Sequence, residues 1–374
     1  MSETVLVTGG CGFIGSHLVD RLLAEGHRVR VLDCLDPQVH PDGEPPGWLN
    51  PEAEYTFAPV GDERALAACL DGAGAVFHLA ARVGVGQSMY EIERYVDANT
   101  LGTAKLLDLL VNRARERPRK LVVASSMSLY GEGAYGCPAC GDGIAAARRP
   151  EDLAAGRWEP LCPRCGGELL ARPTGEDKPP DPSSVYALTK YDQERLCLAV
   201  GRAYDLPVVA LRLFNVYGPR QALSNPYTGV AAIFSARIKA GNPPMVYEDG
   251  RQRRDFVSVH DVVAACLLAL GDPRADFGVF NVGSGEAISV LDLARLLIDL
   301  YGKSGELEPE VSGRFRQGDV RHCFADVSAL ARLGYRPAVG LADGLAALAA
   351  WADGEAAEDR FGLAEGELRR RGLT

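Results

Sequence analysis

The chain has 374 residues, of which 47% are hydrophobic and 24% charged, and these proportions exclude a wholly disordered protein. The length fits one large α/β domain with an appended lobe. The formal net charge of −10 argues against a general nucleic-acid-binding protein, which normally has a basic face. No apolar run approaches the roughly 18 residues of a membrane span, and the first residues do not resemble a signal peptide. We therefore expect a cytoplasmic protein that binds neither nucleic acid nor membrane.

Short apolar runs alternate with helical patterns from the first residues onward. A buried strand is predicted over 4–8, and a glycine-rich segment then leads into a helix over about 16–25. Further strands are predicted over 27–33, 75–80 and 120–125, with a long helical stretch over 90–117. This β-α-β-α order predicts an α/β fold, a Rossmann-type doubly wound parallel sheet.

Two stretches interrupt the alternation. Residues 34–51 are rich in proline and predict a loop, whereas residues 132–175 contain four cysteines and predict an insert. After about residue 220 the alternation loosens, with helices predicted near 228–240, 259–270, 289–301 and 341–352. We therefore expect a Rossmann domain over 1–220 that contains the insert, followed by a smaller α+β lobe over 221–374.

Three glycines lie between the first strand and the first helix. Gly9, Gly12 and Gly15 form G-x-x-G-x-x-G, with Phe13 and Ile14 between the last two. Such glycines allow a tight turn and a close approach of the backbone to a pyrophosphate at the helix N-terminus. The position after the first strand favours a dinucleotide site over a glycine-rich turn without a ligand.

Two acidic residues follow the strands next to this turn. Asp33 ends the second strand, where a carboxylate can accept both ribose hydroxyls and would repel a 2′-phosphate, so NAD is favoured over NADP. A simple strand-terminal cap is the alternative for Asp33. Asp62 is predicted either to accept from the adenine amino group or to be a helix N-cap.

A group of hydroxyl residues and a lysine predicts acid–base chemistry. Ser125, Ser126 and Ser128 follow a predicted strand, and Tyr186 and Lys190 are four residues apart on one helix face. A lysine cation beside a phenol lowers the pKa of the phenol. The pair therefore predicts a general base that takes a proton from a sugar or alcohol hydroxyl near neutral pH.

Seven motifs together resemble the extended short-chain dehydrogenase/reductase family, the NAD-dependent nucleotide-sugar epimerases and dehydratases. They are G-G-C-G-F-I-G (9–15), H-L-A-A (78–81), S-S-M-S-L-Y-G (125–131), Y-A-L-T-K (186–190), L-R-L-F-N-V-Y-G-P-R (211–220), R-R-D-F-V-S-V-H-D-V (253–262) and R-Q-G-D (316–319). The resemblance implies a tightly bound NAD, a nucleotide-diphosphate sugar as substrate, and a lobe over 221–374 that binds this substrate.

The resemblance also implies roles for individual residues. Ser126 matches the residue that hydrogen-bonds the reacting sugar oxygen, Tyr186 the base, and Lys190 the residue that holds the nicotinamide ribose. Asn99 matches a contact on the cofactor side. Asn215 matches a residue near the substrate diphosphate, and Arg254 and Arg316 match arginines that bind it. Guanidinium groups suit phosphate oxygens. Surface ion pairs are the alternative for the two arginines.

The residues after the catalytic serine distinguish the reactions of this family. Dehydratases carry an acidic pair there, whereas this chain has Met127 and Ser128, which favours epimerisation at C4. Because the hydride that NAD takes from C4 returns to C4, no external reductant is needed. Several stretches and the cysteine insert resemble dTDP-L-rhamnose 4-epimerases, which make dTDP-6-deoxy-L-talose. A UDP-glucose 4-epimerase is the nearest alternative; a 4,6-dehydratase, a reductase or a non-enzymatic NAD-dependent sensor fits less well.

The four cysteines of the insert have the spacing of a metal site. Cys137, Cys140, Cys162 and Cys165 form C-x₂-C-x₂₁-C-x₂-C, which predicts a structural zinc held by four thiolates. The insert is predicted either to cover the sugar pocket as a lid or to be a peripheral zinc-stapled excursion. The other six cysteines, all in apolar contexts, are predicted to be buried.

The resemblance implies an oligomeric state as well. Family members commonly pair through two long helices that flank the Tyr–Lys segment. In this chain the corresponding helices are predicted at about 90–117 and 184–204, so a homodimer is expected.

Overall fold

The computed structural model describes residues 3–113, 116–316 and 318–373. Seven parallel strands form its central sheet. They are β1 (Thr4–Thr8), β2 (Arg28–Asp33), β3 (Glu54–Phe57), β4 (Ala75–His78), β5 (Lys120–Ser126), β6 (Val208–Leu213) and β7 (Val279–Val282). The prediction of a Rossmann-type parallel sheet is confirmed.

The strand order is β7-β6-β5-β4-β1-β2-β3. The chain therefore adds strands outward from β1 to β3, then crosses back and places β4 on the other side of β1. In such a sheet the loops after β1 and β4 diverge, and a crevice opens at the carboxyl ends of the strands. This crevice is where the residues of the predicted site lie.

Nine helices of eight or more residues are found in the described part of the chain. They are α1 (Phe13–Ala24), α2 (Glu63–Leu70), α3 (Gly102–Asn112), α4 (Val185–Ala203), α5 (Val230–Lys239), α6 (Val259–Gly271), α7 (Val290–Leu300), α8 (Leu341–Asp353) and α9 (Phe361–Arg370). The sequence analysis did not predict α9, a helix in which only Ala364 and Leu368 are buried. None of these helices is long and apolar enough to cross a bilayer.

The prediction of one continuous helix over 90–117 is wrong. The chain instead forms short helical turns at Val85–Ser88 and Ile92–Tyr95, a π-helical turn at Val96–Leu101, and then α3. The described helix ends at Asn112, and residues 114–115 lie outside the described part. A π-turn carries one extra residue per turn, so it displaces the side chains that follow it relative to a continuous α-helical pattern.

Residues beyond 220 contribute to two cores. Helices α5, α7 and α8 pack together around a separate hydrophobic core with Tyr217 and Val246. Helix α6 instead packs against α1, and β7 forms an edge of the large sheet beside β6. The predicted lobe over 221–374 therefore also supplies one strand and one covering helix to the Rossmann sheet.

The cysteine insert forms a small sheet of its own. Its three strands are Ala134–Cys137, Gly141–Asp142 and Leu170–Arg172, and a short helix spans Pro150–Ala154. Five buried residues make its apolar cluster: Tyr135, Cys137, Ile144, Cys162 and Leu169. Two of these five are metal-ligand candidates, so the insert has little apolar core apart from the cysteine site.

Candidate active site

A cleft of about 810 Å³ lies at the carboxyl ends of the strands and extends to the smaller lobe. It brings together residues that are far apart in the chain. The predicted site residues that line it are Gly9, Gly12, Phe13, Ile14, Gly15, Asp33, Ser126, Tyr186, Asn215, Arg254 and Arg316. The others, Asp62, Asn99 and Lys190, are not among its lining residues.

The glycines after β1 are required by geometry. Gly9 has φ of 73°, and a Cβ built on it would lie 2.8 Å from the backbone nitrogen of Ala80. A Cβ on Gly15 would lie 2.1 Å from the carbonyl oxygen of Gly9. Any side chain at Gly15 would therefore push α1 away from the turn. With glycine, the N-terminus of α1 faces the cleft, where it can bind a pyrophosphate.

Asp33 is held at the end of β2 by two backbone groups. Its Oδ2 accepts from the backbone N–H of Cys11 at 3.0 Å, and its Oδ1 accepts from that of Leu35 at 2.9 Å. These bonds orient the carboxylate beside the glycine turn. Five of the six remaining cysteines are buried as predicted, but Cys34 is exposed, because it follows Asp33 on the rim of the cleft.

Asp62 is the N-cap of α2. Its Oδ1 accepts from the backbone N–H groups of Arg64 and Ala65, both at 3.0 Å. The structure therefore shows the second of the two predicted roles of Asp62, the helix N-cap.

Ser126 and Tyr186 meet at the middle of the cleft. The Ser126 Oγ accepts from the backbone N–H of Ser128 at 3.1 Å and from its hydroxyl at 2.9 Å. Tyr186 lies in the first turn of α4, which Ser184 caps by accepting from the backbone N–H of Ala187. Met127 and Ser128 both line the cleft next to Ser126. The phenol and the hydroxyl thus face the same space, with no acidic side chain at the two positions that follow Ser126.

The pKa of Tyr186 differs from the expectation. Burial raises this pKa and the hydrogen bond with Ser126 lowers it, with a net increase above the ordinary value. The Lys190 Nζ, the cation expected near the phenol, donates to the Gln193 Oε1 at 2.7 Å. A cationic ring beside Tyr186, such as an oxidised nicotinamide, would oppose the effect of burial.

Lys190 belongs to a buried hydrogen-bond network that sequence reasoning missed. Burial lowers the pKa of Lys190 to about 8. The Gln193 Nε2 donates to the Thr103 Oγ1 at 2.9 Å and lies 3.3 Å from the His78 Nε2. Burial also lowers the pKa of His78, to about 3, so that imidazole is neutral. The available signal was a glutamine three residues after Lys190 on the buried face of α4.

Asn99 lies behind the cleft, in the π-turn. Its Oδ1 accepts from the Arg82 backbone N–H at 2.7 Å, and its Nδ2 donates to the Arg82 carbonyl at 3.1 Å and the Thr189 Oγ1 at 2.9 Å. All these partners are within the protein. Asn99 therefore joins the loop after β4 to α4, and can act on the cleft by positioning these two elements.

The far end of the cleft carries the polar groups predicted to bind a diphosphate. The Oδ1 of Asn215 is buried there without a hydrogen-bond partner. Arg316 pairs with Asp319 at 2.8 Å, and its guanidinium lies 4.6 Å from the centre of the Tyr247 ring. Arg254 donates to the carbonyl oxygens of residues 320 and 321. Gln317 of the R-Q-G-D motif lies outside the described residues.

The four insert cysteines form one cluster. Their Sγ atoms all lie within 4.8 Å of one another, and those of Cys137 and Cys165 are 3.5 Å apart. A tetrahedral zinc with Zn–S bonds of about 2.3 Å requires S–S distances of about 3.8 Å. The cluster therefore fits a zinc ion.

Comparisons with known proteins agree with this geometry. The model of the NAD dependent epimerase/dehydratase family matches residues 5–146 and 166–283. The chain is 38% identical to a dTDP-L-rhamnose 4-epimerase from Burkholderia thailandensis, over 93% of this chain and 94% of that protein. It is 34% identical to a UDP-glucose 4-epimerase from Mycolicibacterium smegmatis, over 91% of this chain and 96% of that protein.

Solved structures give the same result. A UDP-glucose 4-epimerase from Thermotoga maritima, solved with UDP-glucose, superposes with a TM-score of 0.75 at 32% identity, covering 94% of this chain and 98% of that one. A UDP-glucose 4-epimerase from Thermus thermophilus, solved with NAD, has a TM-score of 0.72 at 30% identity, covering 94% and 100%. The fold, the cleft and these similarities lead to one conclusion: the chain belongs to the NAD dependent epimerase/dehydratase family.

Proposed function

We propose that this NAD-dependent nucleotide-sugar 4-epimerase interconverts dTDP-L-rhamnose and dTDP-6-deoxy-L-talose. The observation that carries the choice of reaction is the pair Met127 and Ser128 beside Ser126, because elimination of water would need an acid there. The choice of substrate is supported by the 38% identity to a dTDP-L-rhamnose 4-epimerase along almost the whole of both chains. A UDP-glucose 4-epimerase is the second candidate, since the relatives with that name reported above are 30–34% identical.

In the proposed mechanism Tyr186 takes the proton from the C4 hydroxyl, and Ser126 hydrogen-bonds the same oxygen. NAD bound in the cleft would supply an acceptor for the C4 hydride and the means of returning it. Lys190, behind Tyr186, would hold the ribose and keep a positive charge near the phenol. Arg254 and Arg316 would bind the diphosphate, so that the sugar can turn and present its other face while the nucleotide stays bound.

Proton NMR of the purified enzyme with dTDP-L-rhamnose, without added NAD and with UDP-glucose in parallel, tests this proposal. The expected result is a new species that is epimeric at C4, formed from dTDP-L-rhamnose only. Tyr186→Phe is the matched control, since it removes only the phenolic oxygen and should abolish the conversion. Conversion of UDP-glucose alone would retain the mechanism but refute the substrate. Failure of both conversions, with NAD supplied, would refute the proposed reaction.

We also propose that the cysteine cluster holds one structural zinc. The proposal is supported by the sulfur distances and by four thiol ligands, which fill a tetrahedral shell and leave no position open for a substrate. Mass spectrometry under native conditions should find one zinc per chain. The double variant Cys162→Ser/Cys165→Ser should lose it, whereas Cys266→Ser, a buried cysteine outside the insert, should retain it.

Finally, we propose a homodimer and a division of labour between residues 1–220, which would bind NAD, and residues 221–374, which would bind the nucleotide sugar. The dimer is supported by large apolar side chains that are exposed on the two helical segments expected to pair. They are Ile92, Val96, Leu101 and Leu188, each at least 42% exposed. Exposed apolar side chains gathered in this way are typical of an interface.

A further inference from the structure

The cysteine insert does not line the cleft. The lining passes from Ser128 directly to Ser183, so the interpretation of the insert as a lid over the sugar pocket is not supported. The insert is not a peripheral segment without contacts to the site either. It packs against residues 314–316 and 318–322, which we call the arginine segment because it carries Arg316 and accepts the hydrogen bonds of Arg254.

Charged groups of the insert bond to residues 319–322 of the arginine segment. Glu132 accepts from the backbone N–H of Arg321 at 2.9 Å. Glu159 accepts from the Arg321 guanidinium at 2.6 Å and lies 2.9 Å from the His322 Nε2. Arg148 donates to the carbonyl oxygen of Asp319, the residue that pairs with Arg316. The insert thus bonds to the backbone and the side chains next to the predicted diphosphate ligand.

Through Arg321, the half-buried Glu159 joins a network whose other ion pairs are buried. The side chain of Arg321 is 1% exposed and that of Glu248 is 2% exposed, and the two lie 2.9 Å apart. Arg148, 6% exposed, holds the other oxygen of Glu248 at 2.5 Å. Glu248 has φ of 53°, a left-handed conformation that is uncommon for glutamate. A buried network of this kind fixes its members in one arrangement, since each charge depends on its partners.

One aromatic contact of the insert lies directly beside Arg316. The Trp158 ring lies 6.5 Å from the ring of Phe315, which precedes Arg316. Trp158, Glu159 and Arg148 all lie in residues 147–165, the part of the insert that the family model does not match. These three residues therefore lie outside the part of the fold that the family model describes.

We propose that the insert is a brace for the diphosphate site: Arg148, Trp158 and Glu159 are positioning residues that hold Arg316 ready to bind the substrate phosphates. The inference rests on the proposed function of Arg316. A metal in the cysteine cluster would keep the brace folded, because the insert has too little apolar core to hold its shape without it. Loss of the metal would then weaken binding in a cleft that the insert itself does not line.

Isothermal titration calorimetry with dTDP and with UDP tests the brace without depending on the identity of the sugar. Trp158→Ala and Glu159→Gln should each weaken the binding of the nucleotide by about tenfold, the loss expected when one charge-assisted hydrogen bond to a phosphate is misaligned. NAD and zinc contents should equal those of the wild type. The control is Asp142→Asn, which breaks an exposed pair on the far strand of the insert and should change nothing.

The Arg316→Ala background distinguishes positioning from general damage. If Glu159 acts through Arg316, Glu159→Gln should cost less than about twofold in that background, since coupled residues are not additive. An equal loss in both backgrounds, or no loss in the wild-type background, would overturn the brace. If the wild-type protein binds neither nucleotide, the proposed function fails and this inference fails with it. Wild-type binding with unaffected variants would overturn the brace alone.

Discussion

Gln193 offers a direct test of how the chain sets the charge of Lys190. The Lys190 ammonium is buried, its pKa is lowered to about 8, and it donates to the Gln193 Oε1 at 2.7 Å. A buried hydrogen bond to a charged group contributes about 1.5–3 kcal/mol. Since about 1.4 kcal/mol corresponds to one pH unit, Gln193→Met should lower the pKa of Lys190 by about one pH unit or more. The sign follows from the loss of an acceptor that stabilises only the protonated form.

The measurement is the pH profile of kcat with the nucleotide sugar that the enzyme converts. Activity should fall on the alkaline side as Lys190 loses its proton, and in Gln193→Met this alkaline limb should move to lower pH. Gln193→Glu, which places a carboxylate beside the ammonium, should move it to higher pH. Cys266→Ala is the matched control, because burial raises the pKa of that thiol to about 12 and it does not act on the pKa of Lys190. An alkaline limb that stays in place in both Gln193 variants would refute the reasoning.

Three further outcomes follow from the structure. Asp33→Ala removes the acceptor beside the glycine turn, so the purified protein should have lost NAD and should regain activity when NAD is added; a full NAD content would contradict this role. Glu194→Gln leaves the buried Arg212 guanidinium without its ionic partner and should lower the free energy of unfolding by about 3–5 kcal/mol in denaturant titrations. The exposed pair of Glu25 is the control, since Glu25→Gln should cost less than about 0.5 kcal/mol, and equal losses would contradict the burial argument. Leu188→Asp should convert the proposed dimer to a monomer in light scattering, and an unchanged mass would contradict the proposed interface.

The sequence predicted the elements that depend on neighbouring residues. Gly9 and Gly15 were identifiable because a strand, a tight turn and a helix follow one another within a few residues. Tyr186 and Lys190 were recognised because a spacing of four puts two side chains on one face of a helix. The cysteine pairs were recognised in the same way, from two C-x₂-C spacings. In each case the geometry is local, so the order of the residues was enough to predict it.

Local patterns also misled where packing overrides them. The apolar periodicity over 90–117 predicted one helix, but the chain breaks it with turns and a π-turn in which Asn99 bonds to Arg82 and Thr189. Cys34 was predicted to be buried from its apolar neighbours. It is exposed because the end of β2 opens on the cleft. In both cases the outcome depends on how distant parts of the chain are arranged around the residue.

The sequence by itself determined the parallel fold, the dinucleotide turn, the serine–tyrosine–lysine group and the cysteine cluster. Only the tertiary structure decided which group accepts the hydrogen bond of Lys190, and where the insert packs. Glu159 and Arg321 are separated by 162 residues, and nothing in either local sequence indicates the other. The physical reason is that backbone conformation follows from short-range sterics and periodicity. Hydrogen-bond and ion-pair partners, in contrast, are set by which surfaces meet when the elements pack.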